Sequence, residues 1–195
     1  MKMTLVRHGL PDEGNAARPH DPPLGAAGRR QAEAVAALLA DDGVTRIVAS
    51  PLLRAHETAL PLAGRTGLAV DTVDGWAEAD RHVAHYRSTE TLRALGDAEW
   101  ERFLADPVSY LGGDPQAFHR EVLGALDATA AGDDDGAHVA VFTHGLPINV
   151  VLSHALGLER IVHFRPGYGS VTRLIVRGGR LGVVSVNESA HHRCA

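Results

Sequence analysis

Three short stretches carry the residues of greatest chemical consequence: Arg7-His8-Gly9, Arg54 in "SPLLR", and Thr143-His144-Gly145. Each follows a brief apolar run, so two arginines and two histidines fall at or just beyond the ends of segments that read as buried strands. A buried strand ending in Arg-His is costly unless an anion waits for it, either a carboxylate of the protein or a ligand. Planar guanidinium forks suit a phosphate, and a neutral imidazole can serve as nucleophile or proton carrier.

The elements that must position these groups are legible as strand-like runs at 3–7, 44–49, 68–73, 138–143, 171–176 and 181–186. Helical spacing fills 28–40, 51–64, 115–130 and 147–156, with Ser50-Pro51 and Asp114-Pro115 reading as cap and first-turn pairs and Pro147 as a first-turn proline. Such alternation predicts an α/β fold, a three-layer α/β/α sandwich on a mostly parallel sheet. Arg177-Gly178-Gly179-Arg180 predicts a closing hairpin, which makes the sheet mixed. Residues 75–113 fit this frame poorly and read as a small helical and loop insertion, a lid over the carboxyl ends of the strands, within one domain spanning 1–195. Trp76, Trp100 and Phe103 are expected to pack that insertion onto the sheet. In open α/β sheets ligands bind beyond those strand ends, where helix N-termini add unpaired N–H groups.

The 195 residues, 45% hydrophobic and 22% charged, are those of a globular chain with a sizeable core. A formal charge of −5 and the lack of a basic stretch argue against nucleic acid as a partner. No run is long and apolar enough for a membrane span, and Met1-Lys2-Met3 leads directly into the first strand, so no secretory leader is expected. The single cysteine, Cys194, gives neither a disulfide framework nor a thiolate metal site and suits a cytoplasmic setting. No GxxxxGK[ST] loop is present, which removes support for nucleoside triphosphate binding.

"LVRHG", "DPPLGAAGRRQAEAVAALL", "IVASPLLRAHETA" and "VAVFTHGLPINVVL", in this order, resemble the histidine phosphatase superfamily, the phosphoglycerate mutase-like fold. The resemblance covers most of the chain apart from 75–135. It implies that His8 is the nucleophile and forms a phosphohistidine that water hydrolyses, with Arg7, Arg54 and His144 holding the equatorial oxygens. Neither metal nor cofactor is then needed. His8 must be neutral, so a backbone carbonyl should accept a hydrogen bond from its other nitrogen. The family places an acid after the third strand, which falls on Glu78 in "DGWAEADRH", with Asp80 and Glu90 as alternatives for the proton donor.

Binding roles are expected for Gly9 and Gly145, where the backbone can approach a ligand, for Asn15, and for Arg81 and His82 in the insertion. Two departures stand out. The hydroxyl residue commonly found after the RHG motif is missing and Asn15 sits about one residue late, where Asp12-Glu13 must also turn outward or favour a substrate with a cationic part; and Thr143 stands where a serine is commoner. The phosphatase reading is favoured over a phosphoglycerate mutase because the insertion is small and lacks a Glu-Arg pair after the third strand. A phospholigand-binding protein with little catalysis is disfavoured, since all four central residues are present. The insertion favours a small phosphorylated metabolite as substrate. Oligomeric state stays open, because a core helix or a homodimer interface explains the apolar 147–156 and 171–176 segments equally.

Overall fold

The structure is a computed structural model and describes residues 1–131 and 136–193. Cys194 lies outside the described residues. Six strands form one sheet: β1 (Lys2–Arg7), β2 (Arg46–Ala49), β3 (Val70–Thr72), β4 (His138–Thr143), β5 (Val171–Arg177) and β6 (Arg180–Glu188), in the order β3-β2-β4-β1-β5-β6. The β3-β2, β2-β4 and β4-β1 pairs are parallel, whereas β5 and β6 run antiparallel. The fold is therefore α/β with a mixed sheet, and its last two strands form the expected hairpin.

Period-two alternation sorts each strand between two cores. Leu5, Val48 and Val141 face one layer; Val6, Ile47, Ala140 and Phe142 face the other. The second core is completed by Val35, Ala36 and Leu39 of α1 (Ala26–Leu39) and by Ala59 and Leu62 of α2 (Leu53–Thr66). After the insertion helices α3 (Thr89–Ala94), α4 (Asp97–Ala105) and α5 (Pro107–Tyr110), α6 (Pro115–Ala130) and α7 (Gly145–Leu156) close the opposite layer. Residues Leu146 to Ser153 of α7 are all buried within the chain, whereas Leu156 at its end is exposed.

Several boundaries differ from the sequence expectation for identifiable reasons. Asp114 does cap α6, its Oδ1 accepting from Gln116 and Ala117 N–H at 2.8 and 3.0 Å. Ser50, by contrast, does not cap α2. Its N–H belongs to the sheet edge, donating to Phe142 O at 2.9 Å, and the helix begins three residues later. The Leu53 N–H at that start is met by the Asp21 carboxylate at 3.0 and 3.1 Å, a partner 32 residues away in sequence. α7 starts at Gly145 with His144 as N-cap, two residues ahead of Pro147. Trp76 packs in the core and donates from Nε1 to Thr129 Oγ1 at 3.0 Å, whereas Trp100 is only half-buried and stacks on Phe103 inside the insertion.

The α1 N-terminus is pressed against the loop after β1. A Cβ on Gly28 would lie 2.1 Å from Leu10 O and 2.8 Å from Leu10 N, and one on Gly9 would lie 2.5 Å from Gly28 O. Because these neighbours are backbone, they can yield only by moving the loop that carries His8. Gly28→Ala is expected to cost about 1–3 kcal/mol, as overpacking does. A lowered thermal midpoint with reduced activity would check this, and an unchanged midpoint would refute it.

Candidate active site

β2, β4 and β1 are neighbours, and their register sets Arg7 opposite Thr143 and Ala49 opposite Phe142. The residues that follow these strand ends, His8, Ser50 and His144, are thereby placed side by side at one edge. The His8 and His144 ring centroids are 5.0 Å apart. His8, Arg54 and His144 are all buried. His8 Nδ1 donates to Gly9 O at 2.8 Å, the backbone carbonyl that a neutral nucleophilic imidazole calls for, and this leaves the Nε2 lone pair for chemistry. Burial first, then the Arg54 and Arg7 charges, hold the His8 pKa well below the ordinary imidazole value, so the ring stays neutral. His144 is lowered in the same way by burial, Arg54, His8 and Arg7.

The cations are fixed from behind. Arg7 Nη1 donates to Pro166 O at 2.6 Å, and its guanidinium stacks 3.9 Å from the Tyr168 ring centroid. Arg54 Nη2 donates to both Asp80 oxygens at 2.7 and 3.0 Å, Nη1 lies 3.6 Å from Asp21, and the Tyr86 ring covers its face at 4.7 Å. His144 Nε2 pairs with Ser50 Oγ at 2.7 Å. Among the described residues, Arg7 Nε, Arg54 Nε and Nη1, and His144 Nδ1 are buried without a hydrogen-bond partner. Buried donors are normally paired, so this convergence marks a site built for an anion with several acceptor oxygens.

Glu78 lies at the same edge. Its Oε1 accepts from Ala79 N–H at 3.0 Å and its Oε2 from Leu146 N–H at 3.1 Å, in the first turn of α7. Gly145 borders both groups, a Cβ built there standing in ordinary contact at 3.9 Å from Glu78 Oε2 and 4.0 Å from Arg7 Nε. Burial and the nearby Asp80 charge push the Glu78 pKa up to about 7, which outweighs its two backbone hydrogen bonds and Arg54. A carboxyl with that pKa can carry a proton at neutral pH and release it to a leaving group.

Several other residues singled out in the sequence are turned away from the site, while Asp80 and Glu90 line its cavity. Arg81 pairs with Glu121, and His82 is exposed; neither lines the cavity at the site. Asn15 accepts from Arg18 N–H at 3.2 Å in its own loop. The bare α-carbon of Gly9 meets Gly28, not the cavity. Glu13 turns to the insertion, accepting from Ser88 N–H and Thr91 Oγ1 at 3.2 and 3.0 Å, which removes its charge from the anion pocket. Asp80 faces Arg54, and Glu90 accepts from the Tyr168 hydroxyl at 3.0 Å. Sequence reasoning passed over Ser50, Tyr86, Tyr168 and Thr58. Thr58 Oγ1 accepts from Gly9 N–H at 3.0 Å and donates to Arg54 O at 2.7 Å, tying the loop after His8 to α2. Only its spacing of one helical turn from Arg54 could have drawn attention to it.

A strand-end Arg-His, a second arginine in the first turn of the next helix and a His-capped helix on a β3-β2-β4-β1-β5-β6 sheet define a distinct class of protein. The family model described as histidine phosphatase superfamily (branch 1) matches residues 3–189, and the chain belongs to that family. It is 32% identical over 167 residues to a probable phosphoglycerate mutase, GpmB, of Proteus mirabilis, covering 81% of this chain and 76% of that one. Among solved structures, mycobacterial glucosyl-3-phosphoglycerate phosphatase aligns with a TM-score of 0.78 at 23% identity, over 96% of this chain and 99% of the other. A phosphoserine phosphatase of Entamoeba histolytica, in complex with 3-phosphoglyceric acid, aligns with a TM-score of 0.76 at 25% identity over 98% of both chains. Among the described residues no helix is long and apolar enough to cross a membrane.

Proposed function

We propose that this protein is a phosphomonoesterase that works through a phosphohistidine on His8 and acts on a small phosphorylated metabolite. The observation that carries the reading is the buried His8 ring, oriented through Nδ1 on Gly9 O and surrounded by the buried unpaired nitrogens of Arg7, Arg54 and His144. His8 Nε2 attacks phosphorus and the bond to the ester oxygen breaks. Glu78 delivers its proton to the departing alkoxide. A water molecule then attacks the phosphohistidine, returning a proton to Glu78 as the P–N bond breaks and inorganic phosphate leaves. The side chains supply the cationic charge that other phosphoryl-transfer enzymes take from a metal ion. The likeness to the phosphoserine phosphatase supports hydrolysis as the outcome.

A second reading, phosphoryl return to a substrate hydroxyl, is favoured by the similarity to the probable phosphoglycerate mutase. Supplying 3-phosphoglycerate and following both phosphate release and formation of the 2-isomer separates the two. Release without isomerisation supports the phosphatase, and isomerisation without release overturns it.

The Glu78 assignment has its own pH signature. Because the acid form is required and its pKa is about 7, turnover of alkyl phosphates should fall as pH rises through that value. His8, lowered below the ordinary range, should not limit the rate until well under pH 6.5. Glu78→Gln should remove the alkaline limb and slow alkyl phosphates by about 10²–10⁴-fold, while p-nitrophenyl phosphate, whose leaving group needs no proton, is much less affected. Equal losses on both substrates would move the acid role elsewhere.

A further inference from the structure

The site opens into a cavity of about 320 Å³ between the strand ends, the insertion and the loop at 162–168. Its character changes sharply with distance from the phosphate-facing cations. Beyond Tyr86 and Tyr168 the walls are Leu92, Trp100, Phe103, Leu104, Val162 and Phe164. Three of the polar groups there, Asn149, Thr89 and Glu90, are already engaged, and Arg87 lines the cavity with an exposed side chain. Asn149 Nδ2 donates to Gly145 O and Phe164 O at 2.8 and 3.1 Å, while its Oδ1 accepts from His163 and Phe164 N–H at 3.1 and 2.9 Å. Thr89 Oγ1 donates to Glu90, and Glu90 also takes the Tyr168 hydroxyl. Arg93 and Arg165 stand 5.6 and 5.5 Å from the Trp100 ring centroid with their side chains exposed, a cationic rim around an apolar interior.

We infer that this chamber receives an apolar alcohol, so that the substrate is a phosphate monoester of an aryl or branched hydrophobic alcohol and not of a sugar or a hydroxy acid. The inference rests on the phosphomonoesterase reading of the same site. A sugar pressed against Leu92, Phe103, Leu104, Val162 and Phe164 would bury hydroxyls where the walls offer no hydrogen-bond partner, and each such group loses its water without compensation. A ring or branched chain loses nothing and removes the exposed faces of Trp100, Leu104 and Phe164 from water.

Binding of non-hydrolysable phosphonates by the wild-type chain, measured calorimetrically, reads the chamber whether or not turnover occurs. Naphthylmethylphosphonate is expected to bind on the order of 10- to 100-fold more tightly than methylphosphonate, in proportion to the apolar area buried. In Leu104→Asp and in Trp100→Ala, two changes on the partly exposed α4, that preference should collapse to within a few-fold. A wild-type preference below about three-fold would overturn the inference. So would a preference that survives both substitutions, or tighter binding of 3-phosphonopropanoate, which would assign the arginine rim to a second anionic group. If the naphthyl phosphonate binds preferentially and 1-naphthyl phosphate is not hydrolysed, the chamber stands and the phosphomonoesterase reading falls.

Discussion

His8→Ala should reduce turnover of every phosphate monoester by about 10⁴-fold or more, the scale of losing a covalent nucleophile. The reason is positional as well as chemical. Gly9 O fixes the Nδ1 proton, so Nε2 is the nitrogen with a free lone pair, and no other unprotonated nucleophile shares that position. His144 is the nearest imidazole, but its Nε2 is committed to Ser50 Oγ at 2.7 Å and it sits as the N-cap of α7. Phosphate affinity should survive the change, because Arg7, Arg54 and His144 stay in place. Retained turnover would remove His8 as nucleophile, and lost phosphate binding would mean that the ring, not the guanidinium cluster, organises the site.

The second large effect belongs to Arg54, and it has two components. On phosphoryl transfer, deleting a preorganised cation should cost roughly 3 kcal/mol of transition-state stabilisation, a factor of 10² or more in kcat/KM. On stability, Arg54 is fully buried and carries Asp80 bidentately, with Asp21 near Nη1. Truncation leaves those carboxylates without their counter-ion, and breaking a buried pair by removing one partner typically costs 3–5 kcal/mol. Arg54→Ala should therefore melt earlier as well as turn over slowly. The variant that separates the two is Asp80→Asn, which leaves the cation in place. It should cost less in kcat/KM than Arg54→Ala. If Arg54→Ala lost stability but kept full kcat/KM, the arginine would be structural and the anion site would rest on Arg7 and His144 alone.

Much of this architecture could be read from the sequence because the relevant signals are local. β1 and β4 centre on short, largely apolar stretches, α6 opens on Asp114-Pro115, and the hairpin between β5 and β6 carries Gly178-Gly179 with positive φ at both. The four central side chains were legible for the same reason: each sits beside a strand end whose position the apolar run defines. What escaped depends on partners distant in sequence. Ser50 next to Pro51 looks like a helix cap, yet its hydroxyl serves a histidine 94 residues away while Asp21 meets the helix start. Tyr86 and Tyr168 are lone aromatics in irregular segments, and only the fold lays them over Arg54 and Arg7. Arg81 and His82 share a short 3-10 turn with Asp80, where a small rotation decides which side chain meets the cavity; Asp80 takes the inward place and Arg81 the outward one.

The central claim is that a phosphoryl group passes through His8. The most direct measurement is a rapid acid-free quench of the enzyme with ³²P-labelled 1-naphthyl phosphate in the presence of chelator, followed by mapping of the labelled peptide. The account predicts label on the peptide containing His8, stable to alkali and lost in acid, and none in His8→Ala. Steady phosphate release in the wild type with no label on that peptide, or label that persists in His8→Ala, would contradict it.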